Sequence, residues 1–185
     1  MTAGLATAPS RTIPIALFVW FVVALLLGPW LFAALPFPGP QLTVIALAVL
    51  AVVTVSPWFE TLPWRALVGM HVVRLVGISF LILSANGVLA PVFANRAGWG
   101  DIIAATGAIG LVFAGPRPQW LAYAWNSFGL LDLIVAVGTA TLVVRSGTIP
   151  GVEPLTHLPL NLVPTFFVPL LVASHIAIFR RTRGA

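Results

Sequence analysis

Residues 66–85 read Ala-Leu-Val-Gly-Met-His71-Val-Val-Arg74-Leu-Val-Gly-Ile-Ser-Phe-Leu-Ile-Leu-Ser-Ala, a run long and apolar enough to cross a bilayer that still carries a histidine and an arginine well inside it. An arginine near the centre of a spanning helix costs about 2.5–3.5 kcal/mol on insertion scales. Lipid cannot repay that cost, so the fold must give Arg74 a partner or a wet cavity. His71 and Arg74 are three residues apart and share a helix face, so whatever meets one stands close to the other.

Only 7% of the chain is charged, against about 25% in a soluble domain, which places nearly all of it in or beside lipid. Five further apolar runs accompany the one at 66–85. The expected fold is all-α: a polytopic transmembrane bundle of six helices, with spans at about 13–35, 42–57, 66–85, 101–114, 120–144 and 158–179. Residues 12–180 form one domain, 1–11 a disordered N-terminal tail and 181–185 a basic tail. The first run is too long for the apolar core of a signal peptide and lacks a convincing cleavage site, so it reads as an uncleaved anchor.

The net charge of +5 comes from nine arginines against four carboxylates. These arginines are scattered or terminal and form no basic stripe, which excludes a nucleic-acid partner. With six spans, Arg11, Arg65, Arg117, Arg180, Arg181 and Arg183 fall on one side and Arg96 and Arg145 on the other. The positive-inside rule then puts both termini in the cytoplasm. The absence of cysteine removes disulfides, thiolate metal sites and cysteine nucleophiles.

Breakers punctuate the runs. Gly28-Pro29 should kink the first helix and free the Leu25 carbonyl, and Pro164 and Pro169 should free those of Leu160 and Thr165. Gly107, Gly110 and the alanines at 104, 105 and 108 make the fourth run thin, which suits the middle of a bundle. The connector 86–101 is half apolar and reads as an interfacial stretch.

Helical rise converts position into depth at ~1.5 Å per residue. Counted from the cytoplasmic ends, His71, Asn126 and His175 fall roughly 7–11 Å in, and Arg74 and Asp132 roughly 13–20 Å in, near the midplane of a ~30 Å core. Three helices thus contribute polar groups to two stacked layers. Arg74 with Asp132 reads either as a structural ion pair or as a titratable proton site that could also hold an anionic group. His71 and His175, with Asn126, read as a ligand- or cofactor-binding set, or as histidines bonded to neighbouring helices. Haem is the cofactor considered, with the two imidazoles as axial ligands and the metal otherwise unknown; a chlorin magnesium held by one of them is the variant. Asp101 reads as the exposed N-cap of the fourth helix at the outer interface, or as part of an outer vestibule with Asn95 and Arg96. Glu60, Glu153 and His157 lie in connectors. No nucleophile–base set and no phosphate-cradling loop appears.

The combination His71-x-x-Arg74, Gly98-Trp-Gly-Asp101, Asn126-Ser-Phe-Gly-Leu-Leu-Asp132 and Pro164-x4-Pro169-x5-His175 resembles that of small bacterial inner-membrane proteins with no assigned activity. The resemblance covers most of the chain after Pro63. It implies a bacterial cytoplasmic membrane and carries no ligand, reaction or partner. Three functions stand open: a protein binding a small ligand or cofactor and handling electrons or protons, an accessory subunit of a larger membrane complex (or a homo-oligomer), and a small proton-coupled transporter.

Overall fold

The computed structural model describes residues 12–115 and 118–183. Arg11, Arg117 and the tail expected over 1–11 lie outside that set, as do the last two residues. The described residues contain helices and turns and no strand. Five helices are long and apolar enough to cross a membrane. They are α1 (Thr12–Ala34), α3 (Trp64–Ala85), α4 (Pro91–Ala114), α5 (Gln119–Ser146) and α6 (Val163–Arg183). Between the first two, α2 (Gly39–Thr54) is apolar but shorter, and a single turn of helix, Ser56–Phe59, follows it almost without a break.

The boundaries differ from the sequence expectation in one consequential place. The fourth span begins at Pro91, not at 101, so most of the expected connector is helix. Proline suits the first turn of a helix, where its missing N–H would have no partner anyway. The chain then passes through a π-helical turn, Ala94–Gly98, and continues as α-helix to Ala114. At the other end, α6 starts at Val163 and runs on to Arg183, while 157–162 are turns.

The freed carbonyls of α6 find donors. The Val163 N–H bonds Leu160 O at 3.0 Å, and the Trp20 indole N–H of α1 bonds Thr165 O at 3.0 Å. Near the Gly28-Pro29 step, Asn161 Nδ2 donates to Ala24 O at 2.9 Å. A Cβ on Gly28 would lie 2.6 Å from that nitrogen, so glycine makes the approach between α1 and the start of α6 feasible. Edge-on contacts of Trp20 and Phe21 with Phe166 complete this seam.

α6 buries the largest share of its residues, with α4 next. The middle of the bundle, where the fourth run is expected, is thus shared by α4 and α6. The small residues of α4 do what small residues do: Ala104, Ala105 and Ala108 are fully buried, and the Trp125 indole N–H of α5 reaches the Ala104 carbonyl at 2.9 Å. Much of α1 and the outward faces of α3 and α5 are apolar and exposed in the isolated chain, as surfaces that meet lipid must be.

The two ends of the bundle are each tied. Arg180, near the end of α6, bonds Ser56 Oγ at 2.9 Å and Glu60 Oε1 at 3.0 Å, and Arg181 bonds Leu62 O at 2.6 Å. At the opposite end the Ala90 N–H, between α3 and α4, bonds Gly151 O, between α5 and α6, at 2.8 Å.

Candidate functional site

The middle of α3 is not α-helical. Met70–Val76 is wound as a 3₁₀-helix, whose three-residue turn stacks side chains at i and i+3 one above the other. His71 and Arg74 therefore project in the same direction, into the bundle. A 3₁₀ run of this length is uncommon, because its hydrogen bonds are poorer than those of an α-helix. Here it coincides with the histidine and the arginine that lie well inside the span.

Arg74 is 1% exposed and uses all three of its nitrogens. Nε donates to Asp101 Oδ1 at 2.7 Å, Nη1 to the Gly129 carbonyl at 3.0 Å, and Nη2 to Asp132 Oδ2. Three helices, α3, α4 and α5, are thus joined through one guanidinium, whose planar fork of donors suits two carboxylates at once. Glycines make the space. A Cβ on Gly100 would fall onto the Asp132 carboxylate, and one on Gly129 would lie 3.2 Å from Arg74 Nη1.

The expectation for Asp101 is corrected by this geometry. Asp101 is not an exposed cap at the outer interface: it is 7% exposed, well inside a continuous helix, and bonded to Arg74. The physical reason is the early start of α4. About ten residues of helix precede Asp101, which sinks it ~15 Å from the helix end. Arg96 and Asn95 remain exposed on the π-helical turn, so no vestibule forms from the three together.

The second layer lies against the first. The His71 and His175 ring centroids are 4.4 Å apart, tilted by 54°, and Trp125 touches both rings. Asn126 Nδ2 donates to the His175 carbonyl at 3.0 Å, which fixes its amide and leaves Oδ1 to accept from His175 Nδ1–H at 2.7 Å. The Ser174 hydroxyl donates to Leu171 O at 2.8 Å, so it accepts from His71 Nε2–H at 2.9 Å. These bonds assign the tautomers of both neutral rings. The other nitrogens, His71 Nδ1 and His175 Nε2, are basic, buried and without a protein partner among the described residues. His175 Nε2 lies 3.0 Å from the point a Cβ on Gly129 would occupy, beside Arg74 Nη1.

This arrangement does not fit haem. Bis-imidazole ligation needs a metal about 2 Å from each nitrogen, with the macrocycle lying between the rings. Rings at 4.4 Å leave no room for that sheet. A chlorin meets the same obstacle, since both imidazoles are fully buried under Trp125. Among the described residues no group of three or more His, Asp or Glu side chains is placed to hold a metal ion.

A cavity of about 230 Å³ abuts the charged cluster. Arg74 and Asp101 form its polar end, and Phe80, Phe93 and Phe167 stand in its otherwise apolar wall. His71, Asn126 and His175 do not line it. A second cavity of about 300 Å³ shares Val137, Ala140, Leu155 and Pro164 with the first and continues toward Phe32, Gln41 and Glu153.

The sequence reading missed two contributors. Asp101 was assigned to the surface although Pro91 marked an earlier helix start. Asn161, in the turn that leads into α6, ties α6 to α1 through the Ala24 carbonyl, and no local sequence pattern marks that role.

No curated protein and no solved structure matches the chain. A family of proteins sharing a domain of unknown function, DUF8737, matches residues 39–183, from the start of α2 to the end of α6 and thus all of the polar centre but not α1. The chain belongs to the DUF8737 family.

Proposed function

We propose that this is a cytoplasmic-membrane protein whose buried polar centre, between α3, α4, α5 and α6, binds and releases a proton and serves a small-ligand site beside it. The observation that carries the reading is the charge balance of the cluster. One guanidinium faces two carboxylates, all three buried, which leaves one surplus negative charge in a low-dielectric interior. An uncompensated buried charge is costly, and a proton is the smallest group that cancels it. Ionisable residues within spans are functional candidates by default.

Six spans with both termini in the cytoplasm fit the ties at the two ends of the bundle. The α2–α3 connector meets the end of α6, and the α3–α4 connector meets the α5–α6 loop, as an up-and-down path requires. α2 with its appended turn covers residues 39–59, or ~30 Å of rise, enough to cross the core. The bacterial inner membrane follows from the sequence resemblance.

The chain contains only two aspartates, Asp101 and Asp132. Isotope-labelled aspartate therefore reports on this cluster alone in infrared spectra of the nanodisc-embedded protein, with no mutation needed. The expected result is a labelled protonated-carboxyl band whose intensity changes with pH. Two aspartates fully ionised at every pH at which the protein stays folded would refute the reading.

A further inference from the structure

We infer that the ligand of this site is a lipophilic cation, held in the two adjoining cavities with its positive charge against the Asp101–Arg74–Asp132 cluster. The inference rests on the proposed proton site and names what competes with the proton there.

Three independent features define the ligand. The first is the sign of the charge. Of the four carboxylates in the chain, Asp101 lines the deeper cavity, Asp132 is bonded to the same guanidinium, and Glu153, exposed like Arg96 and Arg145, only borders the second cavity. Among the described residues, Arg74 is the single cation lining either cavity. Arg96 and Arg145 are exposed, and α1 and α2 contain no ionisable residue over their described lengths. The other titratable groups packed nearby are His71 on α3 and His175 on α6. An anionic head would add a charge of the sign already in surplus, and a cationic one removes it.

The second feature is the wall. Apart from Arg74 and Asp101, the deeper cavity is lined by apolar side chains, which favours a ligand with hydrocarbon substituents over a hydrated inorganic ion. The third is aromatic. Phe80, Phe93 and Phe167 border the same space, and the negative face of an aromatic ring attracts a desolvated organic cation. The deeper cavity, at about 230 Å³, suits a cationic head with one ring or a few short alkyl groups. The second cavity gives longer substituents somewhere to go.

A ligand that neutralises the cluster makes the proton unnecessary, so the two exclude each other. That is the thermodynamic basis for exchange of a cation against a proton across one site.

The probe is radiolabelled benzyltrimethylammonium, measured by equilibrium dialysis against the full chain in nanodiscs. Neopentylbenzene, which replaces the ammonium nitrogen by carbon, is the uncharged control. The expected result is saturable binding of one cation per chain. Affinity should fall by up to about tenfold for each unit the pH is lowered, as one proton competes for one site. Neopentylbenzene should displace the cation at least about tenfold less well. Ala140→Phe fills space shared by both cavities, and Ala136→Phe fills the deeper one alone; either should abolish binding while circular dichroism stays unchanged. Equal competition by neopentylbenzene, absence of saturable binding, or binding indifferent to both phenylalanines would overturn the inference. Cation binding that ignores pH would overturn the exchange. If the labelled aspartates prove always ionised while selective cation binding persists, the proton reading fails and the ligand assignment stands.

Discussion

Among the described residues, two arginine–carboxylate clusters of similar chemistry stand in opposite surroundings. Arg74 bridges Asp101 and Asp132 with 1% of its side chain exposed. Arg180 meets Glu60 and Ser56 at the end of the bundle with 49% of its side chain exposed. At the rim, water and salt can solvate either partner once the other is gone, so the pair contributes little beyond register. In the interior nothing replaces a lost partner. The contrast teaches that burial makes the balance of the inner cluster costly to disturb, whereas well-packed apolar residues often stabilise an interior as well or better. Under the proposed function, the cluster is kept for what a buried charge can do.

The sharpest way to test that contrast is to unbalance the inner cluster and then remove it. Arg74→Ala should destabilise the folded protein by about 3–5 kcal/mol, because it leaves two buried carboxylates facing each other. The double change Arg74→Ala with Asp132→Ala should recover only part of this, since Asp101 stays unpaired. Arg74→Leu with Asp101→Asn and Asp132→Asn should be milder than either. Urea or thermal unfolding in a defined detergent, read by tryptophan fluorescence, orders the three. A triple variant worse than Arg74→Ala would show that the charges themselves hold the helices together.

A smaller effect separates packing from charge. Gly100→Ala leaves every ionisable group in place but puts a methyl where the Asp132 carboxylate lies. Overpacking of this kind costs about 1–3 kcal/mol. It should also change the pH response of the labelled aspartate band, because Asp132 must turn away from Arg74. If stability falls and the band does not change, the glycine serves helix packing alone.

How much of this was legible beforehand follows from the same physics. Arg74 announced the need for a partner, and Asp132 lay at the matching depth because helical rise is nearly constant. Likewise, His175 stood at the depth of His71. Asp101 was hidden because its place depends on a helix continuing through a π-helical turn, where the sequence reads as an interfacial connector. The 3₁₀ winding of Met70–Val76 was equally hidden: no local residue demands it, and the contacts that α3 makes with α4 and α5 coincide with it. The haem expectation came from matching depths. Depth carries no information on whether two rings face a gap or touch, and here they touch.

The rim supplies the smallest expected effect and the control for all the rest. Glu60→Gln removes the carboxylate from Arg180 but leaves Ser56 Oγ as a partner, and Arg181 still bonds the Leu62 carbonyl. The expected loss is about 0.2–1 kcal/mol at low salt, shrinking further as ionic strength rises and the exposed pair is screened. Measured in the same detergent, this variant calibrates what an arginine–carboxylate contact is worth in this protein when water can reach it. A loss as large as that of Arg74→Ala, or one insensitive to salt, would mean that the connector between α2 and α3 is held to α6 by that charge, and the distinction between the two clusters would collapse. A small, salt-sensitive loss leaves burial as the difference between them, because the chemistry of the paired groups is the same in both.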